Sequence, residues 1–371
     1  MTRTISAGAW TVDTRRGDDA LDDLADEWTD LYHRSAVASP FQSYAWVRSW
    51  WRAYGRAGRL RVFLVRQHGR LVAAAAFQAR GPVLAPLGGD LTDFTDVLLD
   101  DRAAVPAARA LTAALLRDPG WQVVDLPESR RGAALVAAWP GGHHETAGSV
   151  CLDLPARPMD ELVAALPPHT RKTVRRRLNQ LRKAGPEIRE TTPGEAPRAI
   201  DDLLRLHRRQ WQGRGGNPGH RTPAFAAHLT SAIPGMIRDG QAALLEYRFA
   251  GDLLASSLLL IGRDLVGGYL YGADPVLRGR VDVTTMLLAD ALALAHRWGR
   301  PTMSMLRGAE PHKATWRPAA VANRRLLLTR PGSLRGAAYA HGVLLHRRAV
   351  TFAGRRAPWL RTVRDRLRGR R

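Results

Sequence analysis

The chain has 371 residues, enough for two domains of ordinary size, and 45% of them are hydrophobic, so each can bury a core and global disorder is excluded. Its net charge is +22, from 56 basic against 34 acidic residues. That balance suits polyanionic partners such as nucleic acid, anionic headgroups or phosphorylated substrates, and it also reflects solubility and an arginine-rich coding bias. No apolar run reaches the roughly 18–20 residues of a membrane span, the first residues read as free of a secretory leader, and the single Cys151 excludes an internal disulfide, so a cytoplasmic protein is expected.

In chain order, Asp18 and Asp19 followed by Leu21, Leu24, Trp28 and Leu31 predict a helix over 18–34. A second helix follows Pro40, with Phe41, Trp46, Trp50 and Trp51 as an aromatic face. Segments 60–66 and 71–78 predict a hairpin turned at Gly69. Segment 82–99 reads as strand, loop and strand, and a helix over 103–117 with a strand at 121–126 completes an α/β unit. The Pro/Gly/His stretch 139–148 reads as loop. A proline-rich linker, 155–168, leads into a helix over 171–183 that carries seven cations, no acid and a narrow apolar stripe of Val174, Leu178 and Leu181.

A second α/β unit follows: a strand near 187–192, helices over 196–212 and 223–238, three strands at 242–249, 253–261 and 265–271, a helix over 283–298, and strands at 302–306 and 324–329. Two similar orders of antiparallel strands, helix and strand suggest a tandem duplication. The expected division is 1–155, a linker and basic helix at 156–185, a second domain at 186–330 that carries the site, and an Arg-rich tail at 331–371. That tail holds eleven arginines and one acid, and it suits RNA, an anionic membrane surface at the inner face of the membrane, or packing on the core as a solvated helix.

Only three of the cations are lysines. Lys172 and Lys183 lie in the basic helix, whereas Lys313 stands alone between Glu310 and Trp316. A lysine is a compact, tunable point charge and an arginine a fixed planar fork, so a solitary lysine in so arginine-rich a chain is a candidate for chemistry, against chance survival of a surface residue.

The strand–helix–strand order resembles the GNAT acyltransferase fold. FQSYAWVRSWW (41–51), LHRRQWQGRG (206–215), YLYGADP (269–275) and LRGAEPHKATW (306–316) resemble, in order, the motifs of the CelD/BcsL-like (BioF-like) acetyltransferases. The same layout is similar to the FemABX-type aminoacyl transferases. The resemblance implies tandem GNAT-like domains, each a mixed, largely antiparallel sheet flanked by helices. It also implies a transferase that moves an acyl group from acyl-CoA to an amine of a sugar or small metabolite. An aminoacyl-tRNA donor is the alternative, and a non-catalytic polyanion- or membrane-binding protein a third reading.

Amide formation needs a group that takes the amine proton and charge or N–H donors for the oxyanion. Asp274 or Glu310 is the candidate base, Lys313 the oxyanion or phosphate partner, and Tyr271 a candidate proton donor. Arg307 is a candidate clamp for phosphate or carboxylate. Gly267 and Gly268 are expected to mark a strand bulge that presents an N–H to the acyl carbonyl, as in GNAT enzymes. Tyr269, Trp211 and Trp316 are candidates for the acceptor groove, or for the core; Tyr269 and Tyr271, two apart, are expected on one face. In place of the usual pyrophosphate signature stands Gly279–Val283, where Asp282 is expected to cap the helix and occupy the N–H groups a phosphate would use. Arg278 and Arg280 are the compensating cations. His143 and His144 lack partners at ligand spacing, so no metal is expected.

Overall fold

The computed structural model describes residues 2–130, 134–213, 216–308 and 310–356. Its strands are β1 (Thr2–Ala7), β2 (Trp10–Arg16), β3 (Leu60–Gln67), β4 (Arg70–Arg80), β5 (Val83–Pro86), β6 (Leu98–Leu99), β7 (Val123–Ser129), β8 (His143–Pro155), β9 (Glu187–Glu190), β10 (Ala242–Phe249), β11 (Asp252–Ile261), β12 (Leu265–Ala273), β13 (Thr302–Arg307) and β14 (Ala319–Thr329). They join into one sheet in the order β1-β2-β3-β4-β5-β7-β14-β8-β13-β12-β11-β10-β9, with β6 alongside β4. The fold is therefore mixed α/β with a largely antiparallel sheet.

Each half repeats one motif. Antiparallel strands run to β5 or β12, a helix crosses over (Ala104–Arg117 or Val283–Arg297), and the next strand, β7 or β13, returns parallel. Those two junctions are the parallel pairs of the sheet among the described residues. β12 and β13 pair only over Leu265–Gly267 and Thr302–Ser304. Beyond Gly267 no pairing links them, and a wedge opens.

The two halves are stitched at the centre. β14, after the second half, pairs with β7 of the first, while β8 sits between β14 and β13. The expected loop at 139–148 is thus largely strand: His143–Ser149 has no apolar alternation, and its backbone is held by the ladder to β14. The N-terminal hairpin β1–β2 likewise carries too little apolar alternation to announce it in the sequence. It lengthens the sheet at an edge where one side chain of β2's seven-residue burial pattern after another stays half-exposed, apart from Val12 and Asp13. The helix expected over 18–34 begins only at Ala25, because residues 18–23 form turns. The linker holds a short helix, Met159–Ala164, before the basic helix Pro168–Ala184. A helix covers Leu334–Arg356, and the last part of the expected tail, 357–371, lies outside the described residues.

A polar cluster lies buried at the central stitch. Arg307 donates from Nε to Asp93 and from Nη2 to Asp90 O at 2.6 Å, and its Nη1 lies 3.7 Å from Glu128. Asn323 donates to Asp93 O (2.9 Å) and to Glu128 Oε2 (3.0 Å). Burial raises the pKa of Asp93 above its ordinary value, although Arg307 opposes the rise. Beside it, helix Tyr44–Tyr54 packs on helix Pro223–Arg238. The Ser49 hydroxyl donates to His228 O (2.6 Å) and accepts from His228 Nδ1 (3.0 Å), while His228 lies against Trp46.

Candidate functional site

The wedge between β12 and β13 contains a cavity of about 110 Å³. Helix Val283–Arg297 roofs it with Thr284, Leu287, Leu288 and Ala291, one helical face by their spacing. Its floor is Ser257 and Leu259 of β11 and Gly268 and Tyr271 of β12; Met303 and Met305 form one wall, and Lys313 and Trp316 another.

The strand geometry follows from one extra residue. Leu258 pairs with Leu270 and Leu259 with Gly268, which leaves Tyr269 bulged out of the β11–β12 ladder. A bulge shifts the alternation, so Tyr269 and Tyr271 fall on opposite faces rather than the shared face that plain two-residue periodicity predicts. Tyr269 packs against Phe41 and Trp46 and donates to Leu91 O (3.2 Å). Tyr271 lines the cavity. Burial raises the Tyr271 pKa, a hydrogen bond with Gln210 opposes this, and the nearby Glu310 and Asp282 charges raise it further. Its phenol therefore holds its proton at neutral pH and can donate it.

Gly267 lies against Leu306, where an added Cβ would approach the Leu306 side chain to 2.9 Å. Gly268 borders the cavity itself, and a Cβ there would meet Met303 at an ordinary 3.6 Å.

Lys313 is held tightly. Its Nζ donates to Met305 O (2.9 Å), Arg307 O (3.2 Å) and Gly308 O (3.2 Å) and lies 2.8 Å from Glu310 Oε2. Three carbonyls at the end of β13 thereby converge on one ammonium, which pins a turn containing Leu306 at φ 54° and Gly308 at φ 109°. The ammonium both fixes this turn and brings positive charge to the cavity wall, while the half-exposed Glu310 carboxylate pairs with it.

The other expected residues lie elsewhere. Asp274 caps the turn Pro275–Leu277 through Val276 N (3.0 Å) and pairs with Arg209 (2.7 Å). Arg307 faces the buried cluster at the stitch. Arg278 donates to Gln210 O (3.1 Å), and Arg280 is exposed. Trp211 ends helix Ala196–Gln210 beside His207. Trp316 is buried in the cavity wall.

Two features escaped the sequence. The open edge of β12 is occupied by helix Ala196–Gln210: His207 Nδ1 donates to Tyr271 O (2.7 Å), and Gln210 Oε1 accepts from Ala273 N (3.1 Å). The close approach depends on Gly272, where a Cβ would come within 2.4 Å of His207 N. With Nδ1 so committed, His207 Nε2 accepts from His220 Nδ1 (3.4 Å), and His220 Nε2 accepts from Asn217 (3.2 Å), so both imidazoles are neutral. Second, Asp282 does cap helix Val283–Arg297, accepting from Thr285 N (3.2 Å) and Thr284 Oγ1 (2.7 Å), and Arg177 of the basic helix neutralises it at 2.7 Å. Exposed Lys172, Arg175, Arg176 and Lys183 make no ion pair among the described residues. No group of three or more His, Cys, Asp or Glu among the described residues could hold a metal, and no described helix is long and apolar enough to cross a membrane.

A family model described as an acetyltransferase (GNAT) domain matches residues 2–88 and 168–314. A search of curated proteins returns no match. Among solved structures, FemX aligns at TM-score 0.58 and 10% identity, over 81% of this chain and 95% of its own. L-PGS from Bacillus licheniformis aligns at 0.56 and 12%, over 85% and 95%. A C-terminal DUF2156 domain from Agrobacterium fabrum aligns at 0.54 and 11%, over 88% and 97%. At these identities the likeness establishes a GNAT-like, FemABX-type fold.

Proposed function

Since the chain belongs to the acetyltransferase (GNAT) domain family, we propose that it is an amide-forming acyltransferase of the CelD/BcsL-like group, acting in the cytoplasm on an amine of a sugar or small metabolite, with acyl-CoA as donor. The observation that carries the reading is the cavity at the β12–β13 wedge, where Gly268 and Leu270 on either side of the bulge at Tyr269, together with Tyr271 and Lys313, line one largely apolar space. The acyl group enters this space with its carbonyl at the bulge. The amine lone pair adds to the carbonyl carbon, and the developing oxyanion is met by strand N–H groups and the Lys313 charge. Collapse breaks the carbon–sulfur bond, the leaving thiolate takes the Tyr271 proton, and the amine proton passes to Glu310 at the mouth or to water.

A second reading rests on a specific observation. At the start of helix Val283–Arg297 the Thr285 N–H and the Thr284 hydroxyl serve Asp282, which Arg177 already neutralises. A CoA pyrophosphate would meet the Asp282 carboxylate at that helix start, whereas the free cations of the basic helix suit a longer polyanion such as a charged tRNA. FemX and L-PGS share the fold, and the Agrobacterium fabrum domain is described as part of a lysylphosphatidylglycerol synthetase, whose product is a lipid rather than a small amine.

The test is donor binding by the purified protein, acyl-CoA against charged tRNA at two salt concentrations, followed by amide formation with Tyr271→Phe and Lys313→Ala. Saturable acyl-CoA binding and at least a hundredfold lower turnover in Tyr271→Phe support the first reading. Steeply salt-dependent binding of one charged tRNA, without CoA binding, moves the assignment to the second. Full activity in a folded Lys313→Ala protein removes Lys313 from the chemistry.

A further inference from the structure

The cavity's dimensions and lining specify what it holds. A water's share of liquid volume is about 30 Å³, so about 110 Å³ takes roughly three to four chain carbons beyond a carbonyl held at the bulge. An acetyl methyl would leave most of that space empty. The wall that would touch the chain is apolar: Leu259, Leu287, Leu288, Ala291, Met303 and Met305. The two methionines are flexible enough to close on a straight or a branched chain. Among the described residues the only charged group in the lining is Lys313, already engaged by three carbonyls and Glu310. A charged chain of either sign would have to be desolvated against this apolar lining, while Lys313 and Glu310 are already paired with each other.

The geometry points to a chamber that selects an uncharged, apolar acyl group of about four or five carbons, straight or branched, over acetyl and over charged chains. This rests on the proposed acyl transfer at the same wedge and adds the class of acyl group that the donor carries. Ala291 and Gly268 set the depth. The roof carries only a methyl at Ala291, and the floor has no side chain at Gly268, where an added Cβ meets Met303 at a tolerable 3.6 Å.

The experiment uses the full chain labelled at its six methionine methyl groups. It is titrated with N-acetylcysteamine thioesters of acetic, propionic, butyric, isovaleric, hexanoic, octanoic and succinic acids. These probes carry the acyl group without CoA phosphates or tRNA. Affinity should rise about fourfold per methylene up to the butyryl or isovaleryl thioester and then level or fall, with the Met303 and Met305 signals shifting. Gly268→Ala and Ala291→Val should each move the optimum toward shorter chains. Preference for acetyl or succinyl, or an unchanged optimum in both variants, or silent Met303 and Met305 signals, overturns the chamber. Hydroxamate formation from the same thioesters and hydroxylamine is followed in parallel. A normal chain-length profile with no hydroxamate would overturn the transferase reading and leave the chamber in place.

Discussion

The two halves of the sheet run the same strands and crossover, yet only the second keeps room at its parallel junction. Beside β5 the first half encloses a space of about 30 Å³, against about 110 Å³ at the β12–β13 wedge. The first half's crossover helix starts after Ala103, which offers no cap, whereas the second half's starts after Asp282, held by Arg177. There is no lysine before Lys172. One scaffold is thus used twice with different room at the parallel junction, and the difference is made by a bulged tyrosine, one lysine and a few small residues facing the cavity; the first half's larger space, about 200 Å³, lies away from the junction, between β1–β2 and its crossover helix.

The largest expected effect tests whether the stitch between the halves is structural. Arg307→Ala leaves Asp93 and Glu128 buried without their cation, which should cost about 3–5 kcal/mol. A chemical-denaturation midpoint close to wild type would show that Arg307 serves the site rather than the seam.

Acid should strain the packing of the second half next. Burial lowers His228 to about 3 and His220 to about 4, the latter also repelled by His207. A lowered histidine pKa means that the unfolded chain takes up protons the folded chain refuses. Stability is therefore full above the unfolded pKa of about 6.5 and falls as pH drops from there toward 4, by up to about 1.4 kcal/mol per pH unit for each histidine. Urea melts at pH 7.5 and 4.5 measure this, and His228→Gln should flatten the slope.

Gly272→Ala pushes a Cβ against the backbone of helix Ala196–Gln210 and should cost about 1–3 kcal/mol, with the β12 edge and donor binding disturbed together. A neutral result would separate that edge from the site. Asp282→Ala should cost about 1 kcal/mol in stability through loss of the cap. It should also free the helix N–H groups, so acyl-CoA binding should tighten if a pyrophosphate belongs there.

How much was legible follows from the physics of each element. The repeated strand–helix–strand order and the long amphipathic helices were readable because periodicity reports them. β1, β2 and the first part of β8, within 139–148, were not, since their alternation is weak and neighbouring strands hold them. Lys313 stood out through composition, but its bonds to the carbonyls of Met305, Arg307 and Gly308 required the turn to be seen. The faces of Tyr269 and Tyr271 were misread because one bulged residue reverses the alternation. Arg307, placed at a strand end, could be aimed at a ligand or at Asp93 with equal justice from sequence. The aliphatic wall of the cavity was hidden because apolar residues such as Leu287 and Met303 give the same signal whether they fill a core or line a space.

The central claim is that the acyl end of the donor enters the wedge of the second half. Calorimetric titration of wild type, Ala291→Leu and Asp96→Asn with butyryl-CoA tests it most directly. Asp96 borders the small space of the first half, and burial raises its pKa to about 7. The account predicts at least tenfold weaker donor binding in Ala291→Leu and a change within about twofold in Asp96→Asn. Unaltered binding in a folded Ala291→Leu protein, with loss in Asp96→Asn, would place the donor in the first half and contradict it.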